Sequence, residues 1–275
     1  MPQVLDEHAT DLPLFSVIIP CYNAEATLAR AVRSCFGQDE RSLEIILVDD
    51  GSADATPVLM RALAVEAPAD LVVRCHDMAV NGGPSRARNQ GWDMARGRYV
   101  AFLDADDRWD SDKLSQVGRV LTAAGDDIVL LGHAHRLEGE RRGEATSPVE
   151  LSAWRVLLRN IAQTSCVVAR RDLPLRFDTG MRYVEDHDLW FRVARLGRVL
   201  YLPAPALTCL GRPQMSAGGL SGRRWDMRRG ELRMYAKAAG GDVLLMLALP
   251  GLLAFSLVKH VWSTLRLALP ARRGT

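Results

Sequence analysis

With 275 residues, 48% hydrophobic and 25% charged, the chain has material for one large domain, or a domain with an appendage, and is excluded from the disordered class. A net charge of only +2 excludes the basic footprint of a dedicated nucleic-acid binder. The five cysteines are odd in number and widely spaced, with no C-x-x-C, so they suggest neither a zinc ribbon nor a disulfide framework and suit a reducing, cytoplasmic compartment.

Residues 1–13, polar and acidic, read as a loose leader without secretory-signal character. Leu14–Pro20 (LFSVIIP) predicts a first buried strand stopped by Pro20, and Cys21-Tyr22-Asn23 the turn after it. A helix is expected over about Ala24–Phe36, with Leu28, Ala31, Val32 and Cys35 inward. Ser42–Asp49 predicts the second strand, with Asp49-Asp50-Gly51-Ser52 as its exit turn and Ser52 or Asp54 capping a helix to about Ala67. Leu71–Cys75 is a third strand. Asn81-Gly82-Gly83-Pro84-Ser85 then opens a helix through Ala95, which Gly97 ends, and Arg98–Leu103 is a fourth strand. This β-α-β-α-β-α-β order with short connections predicts a Rossmann-like α/β fold, a mostly parallel central sheet flanked by helices.

The second half is less regular. Asp112–Ala124 predicts a helix, Asp127–His135 a strand and Leu137–Pro148 an exposed loop. A helix near Pro148–Leu158 and a strand near Ser165–Ala169 follow, then a helix over Tyr183–Leu196 that opens on acids. Val199–Leu202 and Ala206–Leu210 are short strands, and Met215–Gly222 is flexible by composition. From Arg223 the chain becomes a basic helix and then an apolar tail, so residues 14–222 are expected to form the main domain and 223–275 a helical extension.

Three strand exits carry polar groups that a buried strand would exclude. The fourth strand ends in Asp104, Asp106 and Asp107, and open α/β sheets bind ligands at that carboxyl edge. Asp104 and Asp106 flank small Ala105, so a turning backbone can aim both into one crevice. There a hard divalent cation, Mg²⁺ or Mn²⁺, would offset their repulsion and bring substrate phosphates with it. A solvated turn explains D-x-D equally well when the motif stands alone. Asp49-Asp50 closes the second strand in the same way, with a turn and helix cap as the plainer explanation. On the third crossover, glycines beside Arg86, Arg88 and Asn89 at a helix start suit a diphosphate. In Val184-Glu185-Asp186-His187-Asp188 the helix dipole accounts for one or two acids, and a further carboxylate facing a cleft could take a proton from an acceptor hydroxyl.

The ordered set SVIIPCYNAEATLARAV, EIILVDDGSADAT, NGGPSRARNQG, GRYVAFLDADD and VEDHDLWFRVARLG resembles the family 2 glycosyltransferases of GT-A fold, over about residues 14–210. The resemblance implies that Pro20, Tyr22, Asn23 and Asp50 line a nucleoside pocket, with Asp50 toward the base. It implies Asn81 and Arg88 near base, ribose or diphosphate, Asp104 at ribose or metal, and Asp106 as metal ligand. Asp186 becomes the expected catalytic base, with Glu185 second. The implied reaction is inverting transfer from a nucleoside-diphosphate sugar, a UDP-sugar favoured, to a glycan or lipid-linked acceptor, with Mg²⁺ or Mn²⁺ neutralising the departing diphosphate. Many relatives carry a His after the last sheet strands. Here Leu210-Gly-Arg-Pro-Gln-Met-Ser216 has none, and Arg212 is the candidate to bind the diphosphate instead. A non-catalytic nucleotide-sugar-binding or scaffold protein of the same fold is the alternative. A nucleotidyltransferase is disfavoured, because no Gly-rich, Lys-containing loop follows the first strand.

The tail Val243–Val258 is sixteen residues without a charge, short of the roughly 20 needed to span a bilayer, and Pro250-Gly251 is expected to break or kink it. Basic residues on both sides (Arg223, Arg224, Arg228, Arg229, Arg233 and Lys237 before, Arg272 and Arg273 after) suit attachment to an anionic membrane surface, here the inner face of the cell membrane. Packing on the domain, or on a second copy as a homodimer, is the other expectation.

Overall fold

The computed structural model describes residues 12–212 and 223–268. The proposed flexible stretch Met215–Gly222, most of the leader, and Arg272 and Arg273 lie outside the described residues.

Strands β1 (Phe15–Cys21), β2 (Leu43–Asp49), β3 (Val72–Asp77) and β4 (Tyr99–Phe102) alternate with helices α1 (Leu28–Phe36), α2 (Thr56–Glu66) and α3 (Pro84–Met94). All four strands pair in parallel, in the order β3-β2-β1-β4. The period of two sorts their side chains onto opposite faces. Val17, Ile19, Ile45 and Leu47 enter one core, and Ile18, Ile46 and Val48 the other. With apolar layers on both faces, near-continuous hydrophobic strands are what a parallel sheet requires. Helix α3 lies close on that sheet because Gly91 allows it: a Cβ there would come within 2.5 Å of the Ile18 Cγ2 atom.

Beyond β4 come β5 (Arg108–Trp109), α4 (Lys113–Ala124), β6 (Ile128–His133), β7 (His135–Leu137), β8 (Val149–Leu151), α5 (Ala153–Leu158), a 3-10 turn (Thr164–Cys166) and β9 (Val167–Arg170). Helix α6 (Glu185–Ala194), β10 (Arg198–Leu202), β11 (Thr208–Leu210), α7 (Arg224–Ala239) and α8 (Val243–Ala268) complete the order. The main sheet runs β3-β2-β1-β4-β9-β6-β10-β8, and β5-β11-β7 form a small second sheet. Strand β9 is antiparallel to both β4 and β6, and β8 is antiparallel to β10. The sheet is therefore mostly parallel, as expected, with two reversed strands.

Several local expectations are corrected. Helix α1 begins at Leu28, four residues late, after a separate turn in which the Thr27 N–H bonds the Ala24 carbonyl. The expected strand to His135 divides between two sheets at Ala134. Residues 149–151 are a strand, and the helix after them starts only once Ser152 caps it through the Arg155 N–H. Pro250 does not break α8, which continues through it for 26 residues. Helix α7 is less free than its charge implied: Arg228 pairs with Glu231, Arg233 donates to the Gly180 carbonyl, and Lys237 reaches Asp178 and Asp188. No helix among the described residues is long and apolar enough to cross a membrane.

Candidate functional site

Parallel pairing brings the ends of β1, β2 and β4 to one edge, and the loops there are stitched together by carboxylates. Asp49 accepts from the N–H groups of Gly51 and Ser52 and from the Ser52 hydroxyl, building its own turn. Asp50 is buried. Its two oxygens accept the Gly82 and Gly83 N–H groups at 2.8 and 2.7 Å, and the Asn81 amide donates to its carbonyl at 3.0 Å. The exit of β2 is thus tied to the start of α3. Each Asp50 oxygen keeps a second lone pair beyond these bonds. Pro20 is partly buried beside it, and Tyr22 stands 53% exposed on the rim. Asn23 has φ 47°, and its side-chain oxygen accepts the Ala53 N–H.

Arg88 projects from α3 with its side chain only 6% exposed. It reaches the Asp104 carboxylate at 2.7 Å and Glu185 at 3.5 Å, and its guanidinium lies 5.4 Å from the Phe177 ring centre. Asn89 holds the Phe177 backbone from both sides. Two guanidinium nitrogens of Arg88, Nε and Nη1, are buried without a hydrogen-bond acceptor. A buried donor left unpaired costs about 1–3 kcal/mol; Nη1 is offset in part by the Glu185 carboxylate 3.5 Å away.

Glu185 and Asp186 open α6 directly after Val184, whose φ of 63° places a β-branched residue in the left-handed region. Such conformations persist where the surroundings over-determine them, and they concentrate at functional sites. Burial first, then the charge of Asp186, pushes the Glu185 carboxyl up to about 7, while Arg88 opposes the rise. Asp186 accepts the Asn160 amide at 2.8 Å.

The acids after β4 divide in two. Asp104 and Asp106 face the opening, with side chains 34% and 29% exposed. Arg212 pairs with Asp106 at 2.7 Å, and Arg30 donates to the Asp106 carbonyl. Asp107 turns inward and accepts from the Ser165 hydroxyl at 2.5 Å and the Gly211 N–H at 2.8 Å. Burial, then the Asp104 charge, pushes it up to about 7. Ser165 also accepts the Asp104 N–H, so one hydroxyl fixes both ends of this turn.

Among the described residues no cluster of three or more metal-ligating side chains exists. Asp104 and Asp106 each hold one oxygen on an arginine and, among the described residues, leave the other without a protein partner. That donor set fits Mg²⁺ or Mn²⁺ of the kind held by one or two carboxylates plus substrate phosphates.

Two contact groups meet through α3: Asp50 is tied to Asn81 and the glycines that precede the helix, and Arg88 on the helix is tied to Asp104 and Glu185, with Asp186 next in the chain and Asp106, two residues beyond Asp104, paired with Arg212. Ser165, Asn160 and Phe177 escaped the sequence reading because none belongs to a patterned motif. Asp107 was visible only as one acid of three, with nothing to show that it faces inward.

The chain matches the family model described as "Glycosyl transferase family 2" over residues 16–173, more than half its length. It is 33% identical over 73% of its length to the succinoglycan biosynthesis protein ExoO of Rhizobium meliloti, covering 58% of that protein. It is 31% identical over 66% of its length to the amylovoran biosynthesis glycosyltransferase AmsB of Erwinia amylovora, covering 64% of it. The chain therefore spans about three-fifths of these relatives. Among solved structures, S. aureus TarS 1–349 superposes with TM-score 0.65 at 20% identity, over 90% of this chain and 71% of that one. The mannosyltransferase PcManGT from Pyrobaculum calidifontis, solved with GDP-Man and Mn²⁺, superposes with TM-score 0.63 at 19% identity, over 97% and 77%. With a GT-A architecture and a family match across the first four strands and the acids after them, the chain belongs to glycosyl transferase family 2.

Proposed function

We propose that this protein transfers a sugar, with inversion, from a nucleoside-diphosphate sugar to an acceptor hydroxyl in the synthesis of a cell-surface polysaccharide. The observation that carries this is Arg88, a buried guanidinium joining the D-x-D carboxylate Asp104 to Glu185, the first of the acids that open α6. A donor diphosphate beside Asp104 and an acceptor beside Asp186 would meet across that residue.

In this reading Pro20, Tyr22, Asn23, Asp50 and Asn81 bind the nucleoside, Asp50 toward the base, and Arg88 and Arg212 face the diphosphate. Asp104 and Asp106 would hold Mg²⁺ or Mn²⁺, which when bound supplies charge neutralisation for the departing diphosphate. Asp186, oriented by Asn160, removes the acceptor proton as that oxygen bonds to the anomeric carbon. The bond from that carbon to the diphosphate oxygen breaks, and the nucleoside diphosphate leaves. Glu185 sits between Asp186 and Arg88 and sets the local charge. A solved TarS structure holds UDP-GlcNAc, and PcManGT holds GDP-Man with Mn²⁺. We take a UDP-sugar as the favoured donor and a glycan or lipid-linked hydroxyl as acceptor.

We further take residues 14–222 as the transferase domain and 223–275 as an extension placing the protein at the cytoplasmic face of a membrane. Val243, Leu244, Leu247 and Val258 are exposed along α8, and no acid follows Asp242 in the sequence. An apolar stripe with only cationic charges suits an anionic lipid surface. Pairing of two copies through α8 is the competing outcome.

A thermal-shift screen of UDP- and GDP-sugars, with and without Mn²⁺ or Mg²⁺, tests the reading. A ligand at about 100 times its Kd adds about 2.7 kcal/mol of stability, several degrees in Tm. No shift with any nucleotide would refute the site.

A further inference from the structure

The family match ends at residue 173, yet the turn that delivers Glu185 and Asp186 is held from outside the matched region. Residues 178–184 lead into α6, and α7 lies against them. Met234 and Tyr235 of α7 are fully buried in the core that contains Met181, Val184 and Trp190. Arg233 donates to the Gly180 carbonyl at 3.0 Å. The Lys237 ammonium bonds Asp178 at 2.6 Å and Asp188 at 3.0 Å, bridging the start of the turn to the first turn of α6. Asp188 is only 3% exposed, so without that cation and Arg192 its charge would be uncompensated. At Gly230 the helix packs tightly: a Cβ there would lie 2.8 Å from the Tyr183 carbonyl oxygen and 3.0 Å from a Val184 methyl. Both neighbours belong to the strained turn itself.

We propose that α7 is a brace for the catalytic helix. By seating Gly230 on Tyr183–Val184 and tying Asp178 to Asp188 through Lys237, it holds the left-handed turn that aims Glu185 and Asp186 at the cleft. Gly230 and Lys237 are positioning residues, and their link to turnover rests on the proposed transferase reading. The physical need is plain: a β-branched residue leaves φ 63° for an ordinary region unless its surroundings forbid it. Relaxation there would rotate the first turn of α6 and carry both carboxylates away from Arg88.

Gly230→Ala in the full chain tests the brace, because its Cβ must displace the Tyr183 carbonyl. Amide exchange over residues 185–188 is expected to quicken by roughly tenfold or more, with β1 and β2 unchanged. Nucleoside-diphosphate release should slow by roughly tenfold, while UDP binds with Mn²⁺ within about twofold of its original Kd. Lys237→Met should reproduce the kcat loss, and Lys237→Arg should restore it. Unchanged exchange at 185–188 would overturn the brace. So would a kcat loss no greater than the accompanying loss of nucleotide affinity or folded protein. If the unaltered protein releases no diphosphate from any donor, the transferase reading fails, and the exchange measurement still decides the brace.

Discussion

Arg88→Met is the sharpest perturbation of the site. It removes a guanidinium that touches both Asp104 and Glu185, and it leaves an aliphatic chain of similar length against Phe177. At 3.5 Å and an effective dielectric near 20, opposite unit charges attract by roughly 4–5 kcal/mol. One pKa unit is about 1.4 kcal/mol, so losing Arg88 would lift Glu185 by up to roughly three units. Water entering the vacated space would reduce this to roughly one or two. Glu185 already stands at about 7, raised by burial and by Asp186 and restrained by Arg88. The assay is the pH dependence of kcat for nucleoside-diphosphate release at saturating donor. In the unaltered protein the rate should rise through an acid limb near 7 as Glu185 ionises beside the reacting groups. In the variant the limb should move up by roughly one to two units and the plateau should fall. Stability follows the same sign: an acid whose folded pKa is raised favours the folded state at low pH and loses that advantage as pH rises through the folded value. The variant should therefore lose more Tm at about pH 8.5 than at about pH 5.5. An unmoved acid limb would refute the assigned coupling.

Other predictions test separate parts. Ser165→Ala removes the hydroxyl shared by Asp104 and Asp107 and should cost about 1–3 kcal/mol. Because Asp107 stands raised to about 7, the loss should deepen as pH climbs through neutrality, read as Tm against pH. Lys113 is fully buried, its ammonium 3.3 Å from the Trp109 ring centre and without a hydrogen bond, and burial lowers it to about 7. Lys113→Met should raise stability by roughly 1–4 kcal/mol. The gain should grow as pH falls from about 10 toward 7 and level off below, because the unfolded chain takes up the proton first; a gain independent of pH would contradict this. Leu244→Glu with Leu247→Glu on the exposed side of α8 should weaken binding to anionic vesicles by roughly tenfold or more and leave donor turnover in solution unchanged; equal vesicle binding would remove the membrane reading.

The sheet was legible because its strands are continuous apolar runs ended by acids or proline, and the ordered motifs carried the family. Less legible was whatever depends on contacts distant in sequence. Strand 149–151 is short and exposed except at Leu151, and it exists by pairing with β10, which no local pattern announces. Pro250 falls inside a helix where sequence rules predict a stop, because an apolar stretch packed against α7 outweighs one lost hydrogen bond. The basic residues of α7 read in sequence as a free face, yet Arg228, Arg233 and Lys237 turn toward acids and carbonyls brought there by the fold. At the site, Asp50, Asp104 and Asp106 announced themselves by type and position. Ser165 and Asn160, which orient neighbouring carboxylates, are ordinary polar residues with no spacing signal.

The most direct test compares the unaltered protein with Asp186→Asn for nucleoside-diphosphate release and for UDP binding in the presence of Mn²⁺. The account predicts that the variant binds UDP as before while turnover falls by roughly a thousandfold or more, since the amide cannot take the acceptor proton. Turnover that survives the change would contradict the assignment of the base, and binding without turnover in the unaltered protein would contradict the transferase account itself.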